Sequence, residues 1–453
     1  MADHRANPER QPPKLGGSRA LARALAEAGN QKEAREEIQK CLLQEPESAD
    51  ALGVYADILW AARDLPALVE YFQPLIDSLS PDVRLLATIQ LAHVEMEKGL
   101  YLDAVTRLRR GIEDPAAATA SARLVGQVRE FLGRCYFRLR EIDSARQSLH
   151  AAIPILEASG CREGVADALS VLSLVEKCSD RWDRCESLTL QALETYRDIS
   201  KPFKILAATN NLAVLRSFRG WFESAIDPAQ RAVSLSDEVG DTRMKTSARQ
   251  TLALILIRTG KCDLARGPLA TAFRLSAVQP NPRYRALTCE YAGELAFRDG
   301  RLDDASRWLA RGTKAAAINP DEDVLGEIEA RAAEVALARG KSHEALELAE
   351  RALVRFTRAG DAYEIAVAKR VRGEILISLG RVEEARRDLV DSLDFLNRIS
   401  ERFEFARATE LLRRIDAREN VLTGPEDTKN EGSDNATRSA TPATASGTSL
   451  SAA

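Results

Sequence analysis

The chain has 453 residues, a formal net charge of −4, and a composition that is 45% hydrophobic but only 5% aromatic. That apolar share excludes disorder over the whole length, and the near-neutral charge argues against a nucleic-acid scaffold, which normally shows a basic excess. No apolar run approaches the ~18 residues of a membrane helix, and seven cysteines without a CxxC pair fit free thiols in a reducing, cytoplasmic compartment.

Residues 1–16 are polar and Pro-containing, with no apolar stretch for a secretory signal, and are expected to be disordered. A period then begins. A Gly followed five residues later by an Ala occurs at Gly29/Ala34, Gly99/Ala104, Gly220/Ala225, Gly260/Ala265, Gly300/Ala305, Gly340/Ala345 and Gly380/Ala385. Degenerate copies at Arg63/Leu68, Arg140/Ala145 and Asp180/Cys185 complete ten units, the later ones spaced by 40 residues. Self-similarity at such a period is the signature of a repeat array.

Two further columns share the register. Seven residues before each turn stand Ala22, Ala56, Ala92, Gly133, Ser173, Ala213, Ala253, Gly293, Ala333 and Gly373, all small. Twelve residues after it every unit but one is again small or Cys, the exception being Leu75. Each unit carries two apolar-periodic stretches of about 15 residues rich in good helix formers. The Gly suits the left-handed residue that ends a helix, and acids such as Asp303-Asp304 and Glu383-Glu384 favour the positive end of the next one. The small residue seven before the turn and the Ala five after it are expected to face each other, so that two helix backbones approach closely. After the tenth unit, Phe403 to Leu422 reads as one more amphipathic helix, suited to capping the array. From Thr423 the chain is Ser/Thr/Ala-rich and almost free of large apolar residues. It is not expected to fold alone, and deleting 423–453 should leave the melting temperature nearly unchanged.

This pattern resembles the tetratricopeptide repeat superfamily: the Leu-small pair, the Gly turn, the Ala five later and the small residue seven beyond it. The 40-residue copies resemble its long-repeat branch, found in kinesin light chains, Gram-positive peptide receptors and the sensor domains of large bacterial activators. The resemblance implies an all-α, right-handed solenoid of about ten helix-turn-helix repeats over residues 17–422, capping helix included. It also implies a concave face lined by the first helix of each unit.

Signals for catalysis are poor. Gly340-Lys341-Ser342 resembles the end of a phosphate loop, but Val335 stands where the first Gly is needed, and His4, His93, His150 and His343 have no metal-ligand spacing. No cofactor or metal is expected. The column six before the turn, which the resemblance places on the concave face, reads Arg23, Asp57, His93, Arg134, Leu174, Val214, Leu254, Glu294, Glu334 and Glu374. Apolar residues three before the turn, including Phe297, Leu337 and Ile377, accompany the three Glu. Two readings compete. One is a groove with an acidic C-terminal strip that takes a basic segment flanked by apolar residues. The other is a solvated face whose apolar column is buried between helices, with Arg331 and Arg370 close enough to neutralise part of the charge. Asn210 and Asn211 stand where the long-repeat branch often holds a bound peptide backbone, although an interhelix hydrogen bond also fits. A carboxylate clamp is not expected, since pairs such as Arg19/Arg23 and Glu130/Arg134 lack the required Lys and Asn. The expected function is a non-enzymatic scaffold holding a peptide or protein segment, with neither nucleic acid nor membrane as partner. The alternative is a bacterial sensor subunit that responds to a ligand through its superhelix. An RNA-binding repeat array is opposed by the Glu column and the net charge.

Overall fold

In the computed structural model the described residues are 15–279 and 281–422. Helices follow in antiparallel pairs: α1 (Leu15–Glu27) with α2 (Gln31–Gln44), α3 (Ala49–Ala61) with α4 (Leu65–Phe72), α5 (Pro81–Glu97) with α6 (Tyr101–Glu113), α7 (Ala122–Arg138) with α8 (Ile142–Ala158), and α9 (Arg162–Lys177) with α10 (Trp182–Asp198). The series continues with α11 (Pro202–Phe218) and α12 (Phe222–Val239), α13 (Thr242–Arg258) and α14 (Cys262–Ser276), α15 (Arg283–Arg298) and α16 (Leu302–Ala316), α17 (Glu322–Ala338) and α18 (Ser342–Ala359), and α19 (Ala362–Ser378) and α20 (Val382–Arg398). A final helix, α21 (Phe403–Leu422), packs on α20. The described residues contain no strand. Of the two terminal segments set apart in the sequence, residues 423–453 and 1–14 lie outside the described residues, and α1 begins at Leu15.

The hairpins form because the chain can reverse at fixed points. All ten turn residues of the period have a positive φ, from 53° at Arg63 to 85° at Gly29. Arg63, Arg140 and Asp180 hold that conformation at a steric cost of roughly 1–2 kcal/mol each. The closure at Gly260 is representative: its N–H donates to the Ile257 carbonyl (3.0 Å), and the Lys261 N–H donates to Leu256 (2.8 Å), satisfying carbonyls that the helix end would orphan. Acids in the first turn of the second helices, among them Asp103, Asp143, Asp183 and Asp263, meet the positive end of each helix dipole.

The small columns work as expected. A Cβ added at Gly133 would lie 2.5 Å from Leu149 Cγ and 3.3 Å from the Ala145 carbonyl oxygen. Gly293 stands in the same way against Leu309 and Ala305, and Gly373 against Leu389 and Ala385. In these three hairpins the residues seven before and five after the turn therefore meet, and the Leu nine after the turn fills the space a side chain would take. Leu75, the one large member of its column, falls in the 3₁₀ turn Gln73–Asp77 that replaces the end of α4.

The solenoid winds far enough for its end to meet its middle. The turn between α20 and α21 rests on the turn between α11 and α12, where the Arg402 N–H donates to the Arg219 carbonyl (3.1 Å) and Phe403 sets its edge against Phe222 (5.2 Å between centroids). Beside this contact Trp182, Phe218 and Tyr363 pack ring to ring, in a buried cluster with Leu215, Phe395 and Leu396. From Gly220 to Ser400 is 180 residues, four and a half 40-residue units. This seam divides the inner face into an open N-terminal half and a filled C-terminal half.

Candidate functional site

In the open half, α3, α5, α7, α9 and α11 line a cavity of about 710 Å³ together with Arg23 of α1, a volume within the range of ligand sites. One wall is a stack of rings from three successive units: Trp60 lies on His93 (4.0 Å between centroids), and His93 meets Phe131 edge to face (5.3 Å). Trp60 Nε1 donates to Gln90 Oε1 at 2.6 Å, fixing the indole. Arg134 lies over Phe131 (4.9 Å) and is anchored by the buried Glu130, whose Oε1 accepts from its Nη2 at 2.6 Å. The facing wall carries the exposed Phe203 and Lys204, which is held by Asp167 (2.6 Å) and Glu163 (2.8 Å). Asp167 also accepts from the Tyr196 hydroxyl.

The charges here are of two kinds. Arg134 and Lys204 are fixed by carboxylates. Arg23, Asp57 and Arg123 have no ion-pair or hydrogen-bond partner among the described residues and point charge at the space between the walls. Burial, with Arg134 and Lys204 close by, pushes His93 down to about 4, so the imidazole is neutral at physiological pH. Burial also raises the Asp57 carboxyl above its ordinary value, with Arg23 pulling the other way. The cavity thus offers a flat aromatic surface, the amides of Gln90 and Gln127, and separated charges of both signs. That equipment suits binding. The described residues hold no group of three His, Cys, Asp or Glu able to ligate a metal.

The filled half is different. Glu294 is 1% exposed and meets Arg331 at 2.9 Å, with Arg298 at 3.4 Å and Arg258 at 4.0 Å. Glu334 pairs with Arg331, with Arg370 (3.1 Å) and with Arg407 of α21 (2.9 Å). Glu374, the most open of the three, meets Arg370 at 3.2 Å. Arg370, itself 1% exposed, also donates to Glu404 at 2.8 Å. Burial opposes ionisation at Glu294 and Glu334, yet these arginines hold both carboxyls below the usual range. The expected mutual repulsion of the three Glu is therefore relieved within the chain, and the strip makes no demand for a basic partner. Phe297 and Leu337 are half-buried against neighbouring helices and Ile377 is buried, all three packed into the interhelix core.

Of the other expected residues, Arg134 lies in the cavity. Asn210 is buried on α11 with no protein partner for its Oδ1, and the neighbouring Asn211 is exposed. Neither lines the cavity. The column six before the turn did reach it, since Arg23, Asp57, His93 and Arg134 all line it. The ring wall was missed because it crosses columns. Trp60 stands three before its turn, His93 six and Phe131 nine, so successive units contribute residues one step further up the same helix face.

Comparison with known proteins agrees with this architecture. The tetratricopeptide repeat model matches residues 19–81 and 331–397, which identifies these two stretches as tetratricopeptide repeats within a solenoid of the same design. Among solved structures, the apo form of the quorum sensor NprR from B. thuringiensis superposes with a TM-score of 0.55 at 13% identity, over 82% of this chain and 99% of that one. A Rap protein complexed with Competence and Sporulation Factor gives 0.48 at 13% identity, over 83% and 99%. At such identities the likeness is one of fold. No curated protein matches the sequence.

Proposed function

We propose that the chain is a non-enzymatic binding protein whose open half holds a peptide or an extended protein segment. The observation that carries this is the convergence, in one cavity, of the ring wall Trp60–His93–Phe131 with the unpartnered charges of Arg23, Asp57 and Arg123. Large rigid rings bury area at little entropic cost and dominate such contacts. Uncompensated charges of both signs set orientation more than affinity. The ligand site lies in the N-terminal half, because the strip of Glu294, Glu334 and Glu374 in the C-terminal half is matched by the chain's own arginines.

The sensor reading rests on the same cavity and adds the seam as its moving part. It is favoured by one geometric fact: two helices that line the cavity also reach the seam. The resemblance in fold to a protein described as a quorum sensor is consistent with it.

The test is selection of a displayed peptide library on the full chain. Peptides so recovered should lose affinity by about 2 kcal/mol or more, the scale of an interface anchor, when Trp60 or Phe131 is replaced by Ala. They should be insensitive to Glu374→Gln. Unchanged binding to both ring variants would move the site elsewhere.

A further inference from the structure

We infer that cavity and seam are coupled: a ligand bridging the two cavity walls and the docking of the α20–α21 turn favour each other. This rests on the reading that the cavity is the binding site. The connecting parts are α9 and α11. At one end α11 gives Phe203, Lys204 and Ala207 to the cavity. At the other it ends in Leu215 and Phe218 of the seam cluster and in Arg219, whose carbonyl accepts from Arg402. Its 17 residues make a rod about 25 Å long. The parallel case is α9, with Asp167 at the cavity and Lys177 at the seam, where the ammonium lies over Phe218 (4.3 Å) and Trp182 (5.5 Å). The two helices are tied at both ends, by Lys204–Asp167 (2.6 Å) and by Lys177–Phe218, so they shift as a pair. The ring wall belongs to α3, α5 and α7, none of which contributes a residue to the seam cluster.

The seam does not deform smoothly. Gly220 has no room even for a Cβ, which would lie 2.6 Å from the Phe403 nitrogen. Arg219 is 2% exposed, bound to Asp183 (2.7 Å) and stacked on Trp221 (3.7 Å). A surface this close-packed is docked or undocked, and a small tilt of α11 decides which. A ligand that sets the distance between the ring wall and Phe203 sets that tilt, and by linkage the seam acts back on the cavity with the same coupling free energy.

The test needs no ligand. Hydrogen exchange of the full chain is compared between the parent and Phe403→Ala, with Phe403→Leu as the variant that keeps volume should the first fail to fold. Amides of α11 around Lys204–Ala208 and of α9 around Asp167 should exchange about tenfold faster, within the range typical of coupled sites, while α5 and α7 keep their rates. Conversely, Ala207→Leu in the cavity should speed exchange of the Arg402 amide. Acceleration confined to residues 219–222 and 399–405, or spread equally over every helix, overturns the coupling. Peptide selection on the ring variants is a separate measurement, so a failure of the coupling is distinguished from a failure of the binding site.

Discussion

Gly220 and Gly260 have the same backbone task and different surroundings, and the contrast isolates what the seam contributes. Both hold a positive φ (65° and 75°) at a hairpin turn. Nothing lies within 4 Å of a Cβ built on Gly260, whereas on Gly220 it would meet the Phe403 nitrogen at 2.6 Å and Glu401 Oε1 at 2.8 Å. Gly260→Ala should therefore cost only left-handed strain, roughly 1–2 kcal/mol. Gly220→Ala should add an overpacking cost of about 1–3 kcal/mol, because backbone cannot yield as a side-chain end can. Urea midpoints of the two variants read the difference. Equal destabilisation would mean the seam is open in solution. The same logic applies at Gly133, where the clash is with Leu149 Cγ. An Ala there should cost about 1–3 kcal/mol through the hairpin alone and leave the seam untouched.

Among the helices, α21 does more than cap. Ala408, Leu411 and Ile415 cover α20 in one buried cluster, and Glu404 supplies a carboxylate to Arg370, which lies deep inside. Arg370 keeps Glu334 and Glu374 when Glu404 is neutralised, so Glu404→Gln should destabilise by about 1–3 kcal/mol, the range for losing one charge-assisted hydrogen bond, and the loss should show in thermal unfolding of the full chain. Deleting residues 423–453 should shift the same transition hardly at all. The helix itself was legible in the sequence: its bounds, Phe403 to Leu422, follow from periodicity after the last turn, as the ten turn residues follow from the repeat. Those features are local, set by backbone conformation and by the size of facing residues. What the sequence hid was non-local. Nothing in a column marks Gly220 as the partner of Phe403, 183 residues away. The Glu column was visible, as were Arg331 and Arg370 beside it. Arg258, Arg298 and Arg407, which complete the neutralisation, stand at other register positions and converge only through winding. The ring wall escaped for the same reason, since rotation between units turns a vertical column into a diagonal.

At the scale of the whole molecule, the filled half sets a pH dependence. Its carboxylates do not share the arginines equally. Arg331 contacts Glu334 and Glu294 closely and Glu290 only at 3.4 Å. Burial pushes Glu290 up to about 8, with Arg331 opposing and Glu294 and Glu327 adding repulsion. Burial does the same to Glu327, which faces Glu364, Arg283 and Asp323, and to Glu364, which faces Asp361, Arg258 and Lys177. Each is raised to about 8 from 4.5 in the open chain. Between those values the folded state holds protons that the unfolded state has released, so stability falls as pH rises through the window. Glu294, Glu334 and Glu404 are lowered by their arginines, and their contribution is present above about 4.5 and is lost on acidification. The two trends together place maximal stability near about pH 5, with a decline toward pH 8 and a steeper one below pH 4. Replacing Glu290, Glu327 and Glu364 by Gln fixes the neutral form. The triple variant should match the parent near pH 5, exceed it at pH 8, and show a melting temperature nearly level between the two. Melting curves of parent and variant that run parallel across this range would mean the three carboxyls titrate normally and the lumen of the C-terminal half is open to water.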